Sequence, residues 1–349
     1  MLIYVFLFLV LLVLSSVEIL YQNKKMVIIA GVILAIFAGL RYYTGYDFAS
    51  YKTFFDEMTG IQDVFNGSLD AETGYLFLNY VFLKLGLNYF TFLLFFACVS
   101  SLLLVNFLYR NVPYPTLILM YYFARFFMAR DMGQIRGSIA SIILLYSVKY
   151  MKQRKPFKFL AIVLAASLFH LTALIFILGY IYEVYIADGS TKQALWLFGA
   201  SVVIGFLVQW QALYLWAIPE RYIGYFVNPF YTSGKWLMNP VLWMQLAIYF
   251  GSLYFTNIRN DKEFSIYHNL YLLSSVSLIA FGNLSTVGGR LSSPFATYEL
   301  FVAPYFLLNV TKNKLINWIL LIGFTVVIFL IIFVISGDYT SFVPYKTLF

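Results

Sequence analysis

The chain has 349 residues, of which 62% are hydrophobic, 21% aromatic and only 11% charged. A soluble domain carries about 25% charged residues, so this composition excludes a water-soluble globular protein and marks an integral membrane protein. The formal charge of +8 would suggest nucleic acid in a soluble chain; here its first role is to set orientation, and no nucleic-acid partner is expected.

The apolar runs are continuous rather than alternating, which favours helices over a transmembrane β-barrel. Taken in order, they predict spanning helices at 2–20, 26–40, 90–109, 116–129, 137–151, 194–210, 238–256, 264–283, 297–311 and 315–336. The first segment has no basic leader or small-residue cleavage site and reads as a retained helix. The most basic connection runs from Lys149 to Lys158 and belongs in the cytoplasm, as do the turns at Lys24 and Lys25, Arg259 and Lys262, and Lys312 and Lys314. The acidic stretch from Asp47 to Glu72 belongs outside.

Two stretches must then not span. Between the outer segment 41–72 and the basic loop, three crossings already account for the change of side, so 73–87 reads as a half-helix at the outer face. By the same count 158–183 enters and returns as a hairpin with His170 near its tip; a single long tilted helix is the alternative. Irregular backbone at membrane depth is tolerated only where protein or a water-filled cavity satisfies it. The expectation is an all-α, polytopic protein of about ten spanning helices plus short re-entrant ones. It forms one transmembrane domain over 1–349, with both termini outside and outer segments at 41–72, 125–136, 211–237 and 285–296.

Charges inside such a chain are costly and usually face a cavity or each other. Arg41 ends the second helix on the outer side, and Asp47 follows in a turn-forming segment with Gly45. The guanidinium fork suits phosphate oxygens, and the carboxylate is a candidate base; an Arg–Asp pair that merely closes the loop is the alternative. Arg125, Arg130, Asp131 and Arg136 interrupt two apolar helices. Asp131 neutralises only one arginine, so the excess charge fits an anion such as a diphosphate; the competing view is a cytoplasmic turn. His170 is a second candidate base or a packed core residue. Arg290 follows Gly288-Gly289, which permit close backbone approach to a phosphate or saccharide. Trp210, Trp216, Trp236 and Trp243 suit sugar rings or the interfacial belt, and Arg221 beside them is a weaker binding candidate. The single Cys98 and two distant histidines argue against a disulfide or a Cys/His metal centre. No nucleotide-binding or zinc-protease motif is present, and no metal or cofactor is expected.

Several short motifs in a fixed order resemble the EpsG-type, Wzy-like polysaccharide polymerases of bacterial envelopes. They are the N-terminal helix with its basic turn, Gly39-Leu40-Arg41 followed by Gly45-Tyr46-Asp47 and Tyr51, and Arg130 to Arg136 leading into Gly137-Ser138-Ile139-Ala140. Ala166 to His170 before Thr172-Ala173-Leu174, and Arg290-Leu291 before a late helix, complete the series. The segment 183–263 carries no such motif. The resemblance implies a GT-C-like membrane glycosyltransferase at the outer, periplasmic face of the bacterial plasma membrane. Its substrate would be an undecaprenyl-diphosphate-linked oligosaccharide making O-antigen, capsule or exopolysaccharide, with membrane lipid around it and a chain-length regulator as a further partner. In that role Asp47 or His170 would take the acceptor proton, while Arg41, Tyr51, Arg130, Arg136, Arg290 and Arg221 would hold substrate. A flippase for the same lipids, a ligase for finished polymer and an assembly scaffold are the competing functions.

Overall fold

The structure is a computed structural model describing residues 1–208, 220–228, 232, 236–256, 260–282, 284–335 and 337–348. Among these residues it is all-helical, with one isolated β-bridge between Arg41 and Thr347. In chain order the helices are α1 (Leu2–Tyr21), α2 (Met26–Gly39), α3 (Phe48–Asp56), α4 (Thr73–Lys84), α5 (Tyr89–Asn111), α6 (Pro115–Tyr122), α7 (Ile135–Leu145) and α8 (Val148–Lys152). There follow α9 (Pro156–Ser167), α10 (Phe176–Ile181), α11 (Thr191–Leu207), α12 (Glu220–Val227), α13 (Pro240–Phe255), α14 (Lys262–Ala280), α15 (Ser285–Ala296), α16 (Glu299–Leu308) and α17 (Lys314–Phe329). A π-helix over Phe123–Gly133 continues α6, and another over Leu330–Ile335 continues α17.

Three described helices are long and apolar enough to cross a membrane: Leu2–Tyr21, Tyr89–Asn111 and Lys314–Ile335. Seven more are apolar but span only 10–17 residues. The expected 137–151 helix is interrupted at Tyr146 and Ser147, where the Tyr146 hydroxyl turns to donate to the Leu103 carbonyl at 2.7 Å. Of the expected outer segment 211–237, residues 211–219, 229–231 and 233–235 lie outside the described residues, as do Trp210, Trp216 and Arg259.

The chain divides into two compact units. The first comprises Met1–Tyr146, Leu164–Leu171 and Ile319–Phe349. Within it α2 lies along α5, and the Ser101 hydroxyl donates to the Gly31 carbonyl at 2.8 Å. Interhelical hydrogen bonds and small residues drive packing where the surroundings are as apolar as the helices. The Glu18 carboxylate of α1 accepts from the backbone N–H groups of Thr116 and Leu117 and from the Thr116 hydroxyl, between 2.9 and 3.2 Å. It thereby satisfies the free donors that open α6.

The segment 41–72 folds onto α4 and α5 with its rings. Phe48, Tyr51, Phe55, Met58, Val64 and Leu69 share a buried cluster with Tyr75, Phe82, Tyr89 and Phe92. Tyr75 and Phe82 are about 10 Å apart along α4, yet each ring lies 5.4 Å from Phe92. Phe92 of α5 thus sits between two turns of α4.

The residues after α17 return to the exit of α2. Tyr42 donates to Lys346 at 2.9 Å, Leu348 to Leu40 at 3.2 Å and Gly45 to Ser341 at 2.9 Å. The Tyr4 hydroxyl reaches the Phe342 carbonyl at 2.7 Å. The first turn of α1, the 40–45 loop and the last residues thus share one end of this unit.

The second unit comprises Ser147–Val163 and Thr172–Trp318. Helix α14 is central, packing on α11, α13, α15 and α16. The expected turn in 158–183 is present: α9 stops at Ser167, and Phe159 meets both Phe176 at 5.9 Å and Tyr180 at 4.6 Å. The chain has doubled back. Buried polar pairs tie this unit together, including Tyr271 to Glu299 at 3.0 Å and Ser274 and Ser275 to Gln245 at 3.2 and 3.1 Å.

Candidate functional site

Arg136 is the second residue of α7. Its guanidinium pairs with the Glu72 carboxylate. Three rings surround it at 5.5 to 5.7 Å: Tyr51 and Phe54 from α3 and Tyr75 from α4. Such faces attract a cation through the ring quadrupole. The pair is about four-fifths withdrawn from solvent.

Glu72 precedes α4 in extended conformation. Its side chain does not cap that helix. It reaches instead to the hairpin tip, where Oε1 accepts from the Leu171 N–H at 3.0 Å and lies 3.6 Å from His170 Nδ1. The free N–H of Gly74, in the first turn of α4, donates to the Leu168 carbonyl at 2.9 Å. Gly137, directly after Arg136, leaves room for the imidazole: a Cβ there would stand 3.0 Å from His170 Cδ2. Three chain segments distant in sequence therefore bring Glu72, Arg136 and His170 together.

A second group lies close by. Arg41 is fully buried, its Nη1 donates to the Ala38 carbonyl, and its plane sits 5.9 Å from Phe48. Nε and Nη2 find no partner among the described residues. Arg41 lines a cavity of about 10 Å³ with Ser100, Asp131 and Ile135, room for about one water. Asp131 accepts from Ser100 at 2.9 Å, from Ser138 at 3.1 Å and from the Tyr122 hydroxyl. These hydroxyls, rather than a contacting arginine, satisfy its oxygens. Ile135, which lines this cavity, immediately precedes Arg136.

Of the residues singled out in the sequence, the structure gathers Tyr51, Arg136 and His170, while Arg41 lines a cavity with Ile135, the residue before Arg136. Asp47 precedes α3 and is half-buried. Arg130 is buried in the π-helix with its guanidinium 4.1 Å from the Phe126 ring, which Arg125 also approaches at 4.7 Å. Arg290 lies within α15 in the second unit, not in a loop. There the close approach made by Gly288 is to the Phe281 backbone at 3.0 Å, and around Gly289 the space is open. Arg221 stands in α12, and its side chain lies outside the described residues. From sequence alone Glu72 has no place in the site. The signal that points to it is its position just ahead of α4, the helix whose first turn meets the 168–171 turn.

The described residues are all-helical and rich in apolar helices, as in an integral membrane protein, and they gather a cation, a carboxylate and an imidazole beside a turn between helices. The model of the EpsG family matches residues 24–347, nearly the whole chain, and the chain belongs to that family of Wzy-like polysaccharide polymerases. Membership supports a polysaccharide polymerase role and a lipid-linked oligosaccharide substrate in general terms. No curated protein and no solved structure matches the chain.

Proposed function

We propose that the protein joins undecaprenyl-diphosphate-linked oligosaccharide repeat units at the outer face of the bacterial plasma membrane, on a GT-C-like scaffold of about ten crossings. Family membership over 24–347 carries the reading, and the meeting of Tyr51, Arg136 and His170 supports it. A sugar hydroxyl of one repeat attacks the anomeric carbon of another. Its proton passes to Asp47 or His170, the new C–O bond forms, and the bond to the diphosphate oxygen breaks with its electron pair. The departing diphosphate gains negative charge, which Arg41, Arg130, Arg136 and Arg290 are the candidates to offset; fixed positive groups in a site with little water are worth most there. No nucleotide is needed, because the donor already carries the activated bond.

Gene deletion tests this. Single repeat units should still reach the surface while long chains disappear. Repeat units trapped on the cytoplasmic face would establish a flippase instead, and long lipid-linked polymer left unattached would establish a ligase.

A further inference from the structure

We infer that Glu72 is a positioning residue that holds His170 as the proton acceptor of chain elongation. The inference rests on the polymerase reading for its chemistry and on geometry for its residues.

Each Glu72 oxygen has its own task. Oε2 pairs with Arg136, which the rings of Tyr51, Phe54 and Tyr75 confine. Oε1 is fixed by the Leu171 N–H at 3.0 Å and faces His170 Nδ1 at 3.6 Å. The carboxylate is thus anchored on two sides before it meets the imidazole. A carboxylate facing one ring nitrogen sets the tautomer and leaves Nε2 to accept a proton. About a fifth of the His170 side chain remains exposed, so an acceptor can reach it. In the step, the acceptor hydroxyl gives its proton to Nε2 as the C–O bond forms, and Glu72 stabilises the imidazolium without taking the proton. Arg136 keeps Glu72 aimed. The charged and titratable groups facing this pair are Arg136 from α7, Tyr51 from α3 and Tyr75 from α4.

The test uses full-length protein in proteoliposomes, supplied with a lipid extract from a polymerase-deleted strain that holds its single lipid-linked repeats. A base must be neutral to act, so elongation falls on the acid side as His170 protonates. Glu72→Gln keeps an oxygen for the Leu171 N–H but removes the charge that favours imidazolium. We expect elongation to fall about 10²-fold and its acid limb to move about one pH unit lower. Glu72→Asp should place the limb between the two. Because the chain has only two histidines, NMR titration of histidine-labelled protein reads the same shift without turnover.

A slower Glu72→Gln enzyme with an unmoved limb and an unmoved His170 titration would reduce Glu72 to packing and overturn the inference. So would a limb that moves with Asp47→Asn instead. Wild-type protein that elongates nothing, with His170 still shifting, would sink the polymerase reading and leave the Glu72–His170 coupling standing. If Glu72→Gln fails to fold, the Asp variant must still move the limb in the same direction; a wild-type limb overturns the inference.

Discussion

Gly74→Ala perturbs the site without touching any charged group. In the structure the Gly74 N–H bonds the Leu168 carbonyl at 2.9 Å, and a Cβ on residue 74 would stand 2.7 Å from both that oxygen and Leu168 Cβ. Ordinary contact begins at 3.4 Å, so the hairpin tip must retreat by about 0.7 Å, a gap that the Leu168 backbone cannot absorb by a rotamer change. Overpacking of this kind costs about 1–3 kcal/mol, which thermal unfolding in detergent will register. The functional loss should be larger than the stability loss suggests. His170 is two residues from Leu168 and already 3.6 Å from Glu72, and a misplacement near 1 Å costs about 10²-fold in rate. Polymer length on gels, with protein level checked by blot, is the assay. Gly199→Ala, where a Cβ meets nothing within 4 Å, is the control. Wild-type chain length with Gly74→Ala would refute the claim that the tip must sit tightly on α4.

Asp131→Leu should destabilise the protein by about 2 kcal/mol, since three hydroxyls lose their acceptor and only the Tyr122–Ser138 pair, 3.3 Å apart, can partly compensate; Asp131→Asn should cost less in the same melting experiment. Asp63 is held down to about 2 by the Thr59 N–H and hydroxyl and the Gly60 N–H. Its contribution to the 57–72 loop is complete above the ordinary value of 3.8 and is lost as pH falls through 2, so limited proteolysis of that loop should be equal at pH 7 and pH 5 and rise only in strong acid, whereas Asp63→Asn should be cut faster at neutral pH. Ser50 is exposed on α3; in a Cys98→Ser background, Ser50→Cys should be labelled by an impermeant reagent on intact cells, and protection until lysis would invert the proposed orientation.

Much of the scaffold was legible because apolar run length and charge placement are one-dimensional signals. The limits of α1, α2 and α5 fall within two residues of the expected helices. Counting crossings between the acidic 41–72 stretch and the basic loop was enough to anticipate that the chain would turn near His170, where α9 stops and Phe159 meets Tyr180. What a linear reading misses is partner choice. The net charge of 125–136 suggested that Asp131 offsets an arginine, yet its oxygens are taken by hydroxyls on α5, α6 and α7. Arg136 looked like an open anion contact, but Glu72, 64 residues away, is paired with it. Those pairings depend on how helices cross, which periodicity does not encode. The interruption of the expected 137–151 helix likewise follows from tertiary bonds of the Tyr146 hydroxyl to Asn106 and Leu103.

The most demanding charge in the first unit is Arg41, because burying an unpaired guanidinium is costly. Only one of its nitrogens has a protein acceptor among the described residues, the Ala38 carbonyl. A carboxylate across a cavity the size of one water is the remaining compensation. Such a residue stays in place only if its backbone is overdetermined. The structure supplies that constraint from the far end of the chain: residues 346 to 348 bond on both sides of Arg41, and Tyr345 stacks on Phe37 at 4.2 Å while its hydroxyl holds the Phe37 carbonyl at 2.7 Å. Gly45 then turns with φ of 103° directly against the Met132 carbonyl, where any side chain would collide. The loop carrying Asp47 and leading into Tyr51 is therefore clamped between the last residues and the π-helix. A rigid loop cannot close over a substrate by its own motion.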